Sequence, residues 1–404
     1  MLYGRGRVVK YPLLQDAELA GRKVFLRLDL NVPIQNGIIA DDSRIRAALP
    51  TIKYILDKGA SLIIASHLGR PGGKRNNEFS LAPIASRLEE LLGRKVLFVP
   101  DCIGARAATM VASLRPGDVL LLENLRFHPE EKKEDLDFAR KLAYCIDIYV
   151  NDAFGTCHRK HASLKGLPEI LGGGYVGLLV QKELHIFDEM LSSPARPFTL
   201  LLGGAKISDK IPVIENLLPR LDHILIGGGM AFTFMKTLGM NVGHSLLELD
   251  RLGAAEKILK EAEKSGVDIF LPLDIVIAPS SGSPEKARIV AADSIPADEA
   301  GLDIGPETVE QFGKIIEKSC TVVWNGPLGV FEIHPFDKGT RKIASILADV
   351  TKNGTVSVVG GGDSVRAVVE AGLEKSISFV STGGGASLIL MQGNELYALE
   401  ALRG

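Results

Sequence analysis

Thr355-Val-Ser-Val-Val-Gly360-Gly361-Gly362-Asp363-Ser364 is an apolar, β-branched run that stops at three glycines. Such a run reads as a buried parallel strand whose backbone must then turn tightly. Glycine has no Cβ, so backbone N–H groups can approach a phosphate there, and a following helix adds its partial positive charge. The same arrangement recurs twice: His223-Ile-Leu-Ile leads to the glycines at 227–229, and Ile377-Ser-Phe-Val-Ser-Thr to those at 383–385. A single glycine turn is commonplace. Three in one half of a chain predict a surface built to hold a polyphosphate.

Outward from that stretch, strand-like and helix-like segments alternate. Residues 198–202, 224–226, 269–271, 321–324, 356–359 and 378–380 read as strands of the second half. Residues 24–29, 61–66, 95–99, 119–123 and 146–150 do so in the first, with helices such as 81–92 and 135–144 between them. The alternation predicts an α/β chain with doubly wound, mostly parallel sheets, whose strand order is not legible. At 404 residues the chain exceeds one ordinary core, so two lobes are expected. Between them Val176, Leu179, Val180, Leu184, Phe187, Met190 and Leu191 recur at helical spacing, and Pro194 and Pro197 follow. Residues 175–191 thus predict a helix joining two lobes, with an ordinary crossover helix as the alternative.

Composition narrows the function. Hydrophobic content of 46% and charged content of 24% suit a soluble globular protein, and a net charge of −2 argues against binding nucleic acid through bulk charge. No run of about 18 apolar residues is present, so no membrane span is expected. Met1-Leu-Tyr-Gly-Arg-Gly-Arg lacks the apolar core of a signal peptide. Cys102, Cys145, Cys157 and Cys320 are scattered, which predicts reduced thiols, a cytoplasmic location and no zinc site.

In the first half, unusual polar residues stand where strands end, which is where ligands bind open α/β sheets. The ends read Arg27-Leu-Asp29-Leu-Asn31, Ser66-His67-Leu-Gly69-Arg70, Glu123-Asn124-Leu-Arg126-Phe-His128 and Asn151-Asp152-Ala-Phe-Gly155-Thr-Cys157-His158-Arg159. Arginine is suited to bidentate recognition of phosphate or carboxylate. The competing reading pairs each arginine with a nearby carboxylate, and His67, His158 and His161 could each be structural. Either Arg44 or Arg46 could instead pair with Asp41 or Asp42.

In the second half, Leu202-Gly203-Gly204-Ala205-Lys206-Ile-Ser208-Asp209-Lys210 leads into a helical pattern over 211–221. Lys206 and Lys210 are four apart, so a helical first turn would place both on one side, against the macrodipole unless an anion is bound. Two solvated lysines are the alternative. Val323-Trp324-Asn325-Gly326-Pro327-Leu-Gly329-Val-Phe-Glu332 is a stiff loop after a strand. Asp363 suits either an N-cap or a Mg²⁺ ligand. No G-x-x-x-x-G-K-[ST] occurs, and the G-x-G-x-x-G at 172–177 follows no convincing strand, so it is taken as a chance match.

The strings RLDLNVP, RIRAALPTI, SHLGRP, LLENLRFH, NDAFGTCHR, GGAKISDK, GGGMAFTF, WNGPLGVFE, GGGDSV and STGGGASL occur in this order over nearly the whole chain. Together they resemble phosphoglycerate kinase. The resemblance implies two Rossmann-like lobes joined by a helix: 1–174 with about 388–404 for the phosphoglycerate, 175–192 as the helix, and 193–387 for the nucleotide, the tail returning to the first lobe. It implies reversible transfer between 1,3-bisphosphoglycerate and Mg-ADP, giving 3-phosphoglycerate and ATP, by a monomer whose lobes close. Asp29, Asn31, Arg44, His67, Arg70, Arg126 and Arg159 match substrate contacts. Arg44, Lys206, Gly361 and Gly362 match catalytic positions. Gly204, Ala205, Lys206, Lys210, Gly228, Gly305, Asn325, Pro327, Glu332, Gly361, Gly362, Asp363 and Ser364 match nucleotide contacts, with Asp363 on Mg²⁺.

Cys157 departs from the family's usual alanine, which raises oxidation sensitivity as an expectation, and the residues after Ser387-Leu depart from its usual tail. Two other classes compete. A nicotinamide dehydrogenase needs a strand before Gly172, and an inactive phosphometabolite-binding protein would have lost Lys206, Lys210 or Asp363.

Overall fold

A computed structural model describes residues 11–35 and 37–404; the Met1–Arg7 stretch and the first ten residues of the expected first lobe lie outside them. The chain divides into two compact units, residues 1–186 with 394–404, and residues 187–393.

The first unit is built on a six-stranded sheet with the spatial order Leu97–Val99, Val119–Leu122, Ser61–Ala65, Lys23–Leu28, Ile148–Asp152, Tyr175–Val176. Every neighbouring pair is parallel. Its central strands are buried on both faces, which is why they read as unbroken apolar runs. The chain enters the sheet near its centre and adds later strands on both sides. The four strand ends that carry arginine or histidine therefore belong to four consecutive neighbours.

The second unit repeats the scheme, in the order Asp268–Phe270, His223–Ile226, Phe198–Leu202, Thr321–Asn325, Val356–Gly360, Phe379–Val380, again all parallel. Trp324, Phe312, Ile343 and Leu347 are fully buried against it. Each glycine triplet leads from a strand into a helix, at Gly228–Thr237, Gly362–Glu370 and Gly385–Met391. At Gly361 the backbone takes φ +89°, a left-handed turn that side chains other than glycine rarely adopt.

Two sequence expectations need correction, and one element was not expected. The helix expected from residue 175 begins at Leu178, and Tyr175–Val176 pairs with Val150 and Asn151 as an edge strand. Helical spacing could not show that a sheet edge lay open to receive it. The helix expected over 211–221 ends at Leu217, and Leu218–Arg220 tightens into a 3₁₀ turn around Pro219, which has no N–H to continue the ladder. An antiparallel sheet was not anticipated: Arg288–Ala291, Asp274–Ala278 and Ala300–Ile304 pair in that order. The G-x-G-x-x-G glycines follow the short helix Leu167–Ile170, consistent with a chance match.

The tail docks within the first unit. Ala398 N–H donates to the Cys157 carbonyl (3.0 Å), and Gly174 N–H to Leu402 (3.1 Å). The Lys160 ammonium lies 4.4 Å from the Tyr397 ring centre.

Candidate active site

In the first unit the strand ends are tied to one another before they are offered to a ligand. Ser66 Oγ accepts from Leu30 N–H and donates to the Leu28 carbonyl, and Asn31 Oδ1 accepts from Gly69 N–H at 2.8 Å. Asn124 Nδ2 donates to the carbonyls of Leu68 and Phe79, and its Oδ1 accepts from Arg126 N–H. Those bonds fix the loop that carries Arg126, whose Nη1 donates to the Gly69 carbonyl at 2.7 Å.

Arg70, Arg126 and Arg159 form a cation cluster at this rim, with His67 beside them. Arg70 is exposed, Arg159 half-buried and Arg126 buried. No carboxylate lies within ion-pair distance of these three arginines among the described residues. Arg126 Nε is buried without a partner. Burial first, then Arg159 and Arg27, pull Arg126 down to about 10. His67 is held well below the ordinary histidine value by burial, then by Arg27, Arg126 and Arg159, so it is neutral here. His158 falls to about 4 through burial and the adjacent Arg159. Of the arginines matched to substrate contacts only Arg44 has a carboxylate partner, Asp29 at 2.6 Å; Asp42 pairs with Arg46, as the competing reading allowed, and with Arg87.

Arg27, read in the sequence as part of a strand end but not among the residues matched to substrate contacts, lies behind the cluster. It is fully buried, its Nε donates to Ser163 Oγ, and its Nη2 lies 3.4 Å from His67 Nδ1. Ser163 in turn bonds the buried Glu131 at 2.6 Å. Burial opposes ionisation of Glu131, but the bond to His161 and the charge of Arg27 hold its carboxyl below the usual range.

The second unit assembles the glycine turns. Gly204, Ala205, Gly228, Pro327, Glu332 and Asp363 line one cavity of about 280 Å³. Gly203 and Gly228 admit no Cβ, because the Pro327 carbonyl would lie 2.1 and 2.8 Å from it. Beside this cavity Lys210 Nζ donates to Asn325 Oδ1, and Ser364 Oγ accepts from Gly326 N–H while donating to the Gly360 carbonyl. The loop 325–327 is thereby bound to the Gly361–Gly362 turn.

Several assignments change with tertiary context. Lys206 and Lys210 precede the helix Ile211–Leu217 and are not on its first turn; Lys206 is exposed and Lys210 buried. Burial pushes the Lys210 ammonium down to about 8 against the pull of Asp209 and Asp363. Gly361, not Asp363, occupies the N-cap of its helix, and the Asp363 carboxylate is exposed in the first turn. Gly305 does not line the cavity, because it faces a separate groove; Gly301 lines the cavity instead. Cys157 is fully buried and burial pushes its thiol far up, which counters the expected oxidation sensitivity. Among the described residues, one trio could ligate a metal, Asp101, Cys102 and His128, and none belongs to either site.

Residues 14–394 match the family model for phosphoglycerate kinase. The chain is 50% identical to a phosphoglycerate kinase of Chloroherpeton thalassium, covering 98% of this chain and 99% of that one. It is 49% identical to a cytosolic phosphoglycerate kinase of Triticum aestivum, covering 96% and 97%. Among solved structures, a phosphoglycerate kinase from Coxiella burnetii superposes with a TM-score of 0.85 at 38% identity, covering 97% and 99%.

Proposed function

The chain belongs to the phosphoglycerate kinase family, and from that premise we propose how its residues divide the work of the reaction. That reaction is reversible phosphoryl transfer from 1,3-bisphosphoglycerate to ADP, giving 3-phosphoglycerate and ATP. The first unit takes the phosphoglycerate. Arg70, Arg126, Arg159 and His67 hold the phosphate that is not transferred, and Asp29 and Asn31 hold the glycerate end. The cluster of arginines without carboxylate partners supports this assignment most directly: mutually repelling, partly desolvated cations are tolerated where an anion completes them.

The second unit takes the nucleotide. Gly204, Ala205, Gly228, Pro327 and Glu332 form the surface against which base and ribose lie. Asn325, Lys210 and the Gly361–Ser364 turn hold the phosphates, with backbone N–H groups at a helix start. Asp363 suits Mg²⁺ carried by the nucleotide: it is a free, exposed carboxylate, and Mg²⁺ is commonly held by one or two carboxylates plus phosphate oxygens. When bound, the ion offsets charge on those oxygens. Asp363 contributes the protein's share of its ligation.

An acyl phosphate is a reactive donor, so neither a covalent enzyme intermediate nor a strong base is required. The protein supplies in-line positioning and cations for the transferring oxygens. Lys206 suits the moving group, because its exposed ammonium makes no ion pair or hydrogen bond among the described residues. Arg44 suits it once the anion draws the guanidinium from Asp29. Both ligand sets lie within one chain, which supports action as a monomer. Among the described residues no helix is long and apolar enough to cross a membrane.

The test is a coupled assay with 3-phosphoglycerate, ATP and Mg²⁺. Well-folded protein is expected to form 1,3-bisphosphoglycerate, and its failure to do so would overturn this reading.

A further inference from the structure

A groove of about 1040 Å³ lies in the second unit, and nothing in the proposed reaction uses it. Helices Pro306–Ile316 and Lys338–Lys352 form its walls, with the antiparallel sheet at its base. Its apolar lining comes from Val276, Ile289, Ile304, Val309 and Ile346, and Ile289 is 55% exposed. Glycine keeps the walls close: a Cβ at Gly313 would lie 3.0 Å from Ile346 on the facing helix, and one at Gly339 would lie 2.5 Å from Ile304 of the sheet.

The charged side chains on the rim leave a small cationic excess: Lys314, Lys338, Arg341 and Lys342 stand against Glu310, Glu317 and Asp337, and Glu317 is exposed without an ion pair among the described residues. Lys314 is paired with Glu310, and Arg341 with Asp337, both at 2.6 Å. Lys338 and Lys342 are exposed, one turn apart on the same helix, and neither makes an ion pair among the described residues. Lys338 is the first residue of the helix, where its charge opposes the dipole, so an anionic group seated there would be favoured. An apolar trough with two unpaired lysines along the edge formed by one helix is complementary to a molecule with an apolar body and an anionic head seated away from Glu317.

The groove is also wired to the nucleotide cavity. Ile304 lines both, so the strand Ala300–Ile304 is a shared wall. The helix that carries the two lysines is bonded to the loop that lines the cavity. Thr340 Oγ1 accepts from Leu328 N–H at 3.0 Å, and the Asp303 carboxylate accepts from Gly339 N–H at 2.7 Å. A ligand that displaces the helix Lys338–Lys352 strains these bonds, which gives it different affinities for the protein with and without nucleotide.

We propose that this groove is a second small-molecule site, which takes an amphipathic anion and is coupled to nucleotide binding. Only the coupling rests on the nucleotide assignment above; occupation of the groove does not. The probe is 8-anilinonaphthalene-1-sulfonate, an apolar body with one sulfonate, titrated into the full chain by fluorescence with and without saturating Mg-ADP. One saturable site is expected, still filled when ADP is bound, with ADP affinity changed by about fivefold or more in the probe's presence. Lys338→Glu/Lys342→Glu, which touches no residue assigned to the reaction, should weaken the probe by about tenfold and leave turnover without probe unchanged. Ile289→Glu, a substitution at an exposed position, should do the same. Wild-type probe affinity in both variants, or complete displacement of the probe by ADP, overturns the site. Retained probe binding that leaves ADP affinity unchanged overturns the coupling. ADP that fails to bind with the probe absent counts against the nucleotide assignment instead.

Discussion

Arg44 Nη1 lies 2.6 Å from Asp29 Oδ2, so the arginine at the start of helix Ser43–Asp57 is held by the end of the first strand. Neither Asp41 nor Asp42 takes it, although both are nearer in sequence. The pair is partly solvated, with side-chain exposures of 37% and 13%, so an incoming anion can compete for the guanidinium. If Arg44 then stabilises charge on the transferring group, Arg44→Ala should lower kcat by about 100-fold or more, with a much smaller change in 3-phosphoglycerate binding. Steady-state kinetics with both substrates varied would check this. Unchanged turnover removes Arg44 from the transfer step.

Arg126 is expected to act on binding rather than turnover. Its Nη1 is engaged with the Gly69 carbonyl, but its buried Nε has no protein partner. Arg126→Ala should weaken 3-phosphoglycerate by about 1.5–3 kcal/mol, the worth of a charged hydrogen bond. Calorimetric titration of a variant with an unaltered circular dichroism spectrum is the measurement, and wild-type affinity would exclude the residue from the site.

Lys210 should make nucleotide binding pH-dependent. Its pKa of about 8 in the free protein means that the ammonium is charged below that pH and neutral above it. A bound polyphosphate favours the charged form, so above pH 8 ADP binding must take up a proton, and affinity should fall as pH rises. In Lys210→Met that component should vanish while weaker binding remains. Calorimetry in buffers of different ionisation enthalpy counts the proton directly.

Asp152 links the first sheet to the helix Leu178–Ser192. Its Oδ1 accepts from the N–H groups of Leu179 and Val180 at 2.9 and 3.1 Å. Burial nevertheless raises the carboxyl from 3.8 to about 6. The folded chain thus keeps a proton that the unfolded chain has lost. The stabilisation is complete below the unfolded pKa and disappears as pH rises through about 6, a loss of roughly 3 kcal/mol. Asp152→Asn retains an acceptor and cannot ionise, so its stability relative to wild type should grow over that interval. Urea unfolding of both proteins across the range tests it, and parallel pH profiles would show that Asp152 does not titrate there.

Thiol reactivity should sort by burial. Cys145 and Cys320 are exposed, whereas Cys102 and Cys157 are buried with thiols pushed well up. In native protein Ellman's reagent should titrate the first two quickly and the second two only after unfolding. Rapid loss of activity on oxidation that tracks modification of Cys157 would contradict this.

Much of the fold was legible because buried parallel strands are unbroken apolar runs. Residues 24–29, 61–66 and 356–359 needed no tertiary information to be read as strands. The short edge strand Tyr175–Val176 and the antiparallel sheet from Asp274 to Ile304 were not legible. Their pairing depends on which edges are vacant, and the exposed strand Arg288–Ala291 carries little apolar signal.

At the candidate site, sequence alone determined the residue types and their places at strand ends: arginines and histidines in one half, glycine turns, two lysines and Asp363 in the other. Those features are local, set by the backbone freedom of glycine and by the charge of each side chain. Only the tertiary structure decided that four arginine- and histidine-bearing strand ends are neighbours, that Arg44 pairs with Asp29, and that Gly301 rather than Gly305 lines the cavity. It also distinguished a buried Lys210 near pKa 8 from an exposed Lys206 four residues away. Strand order, ion pairing and desolvation are set by residues far apart in the chain, so no local pattern carries them.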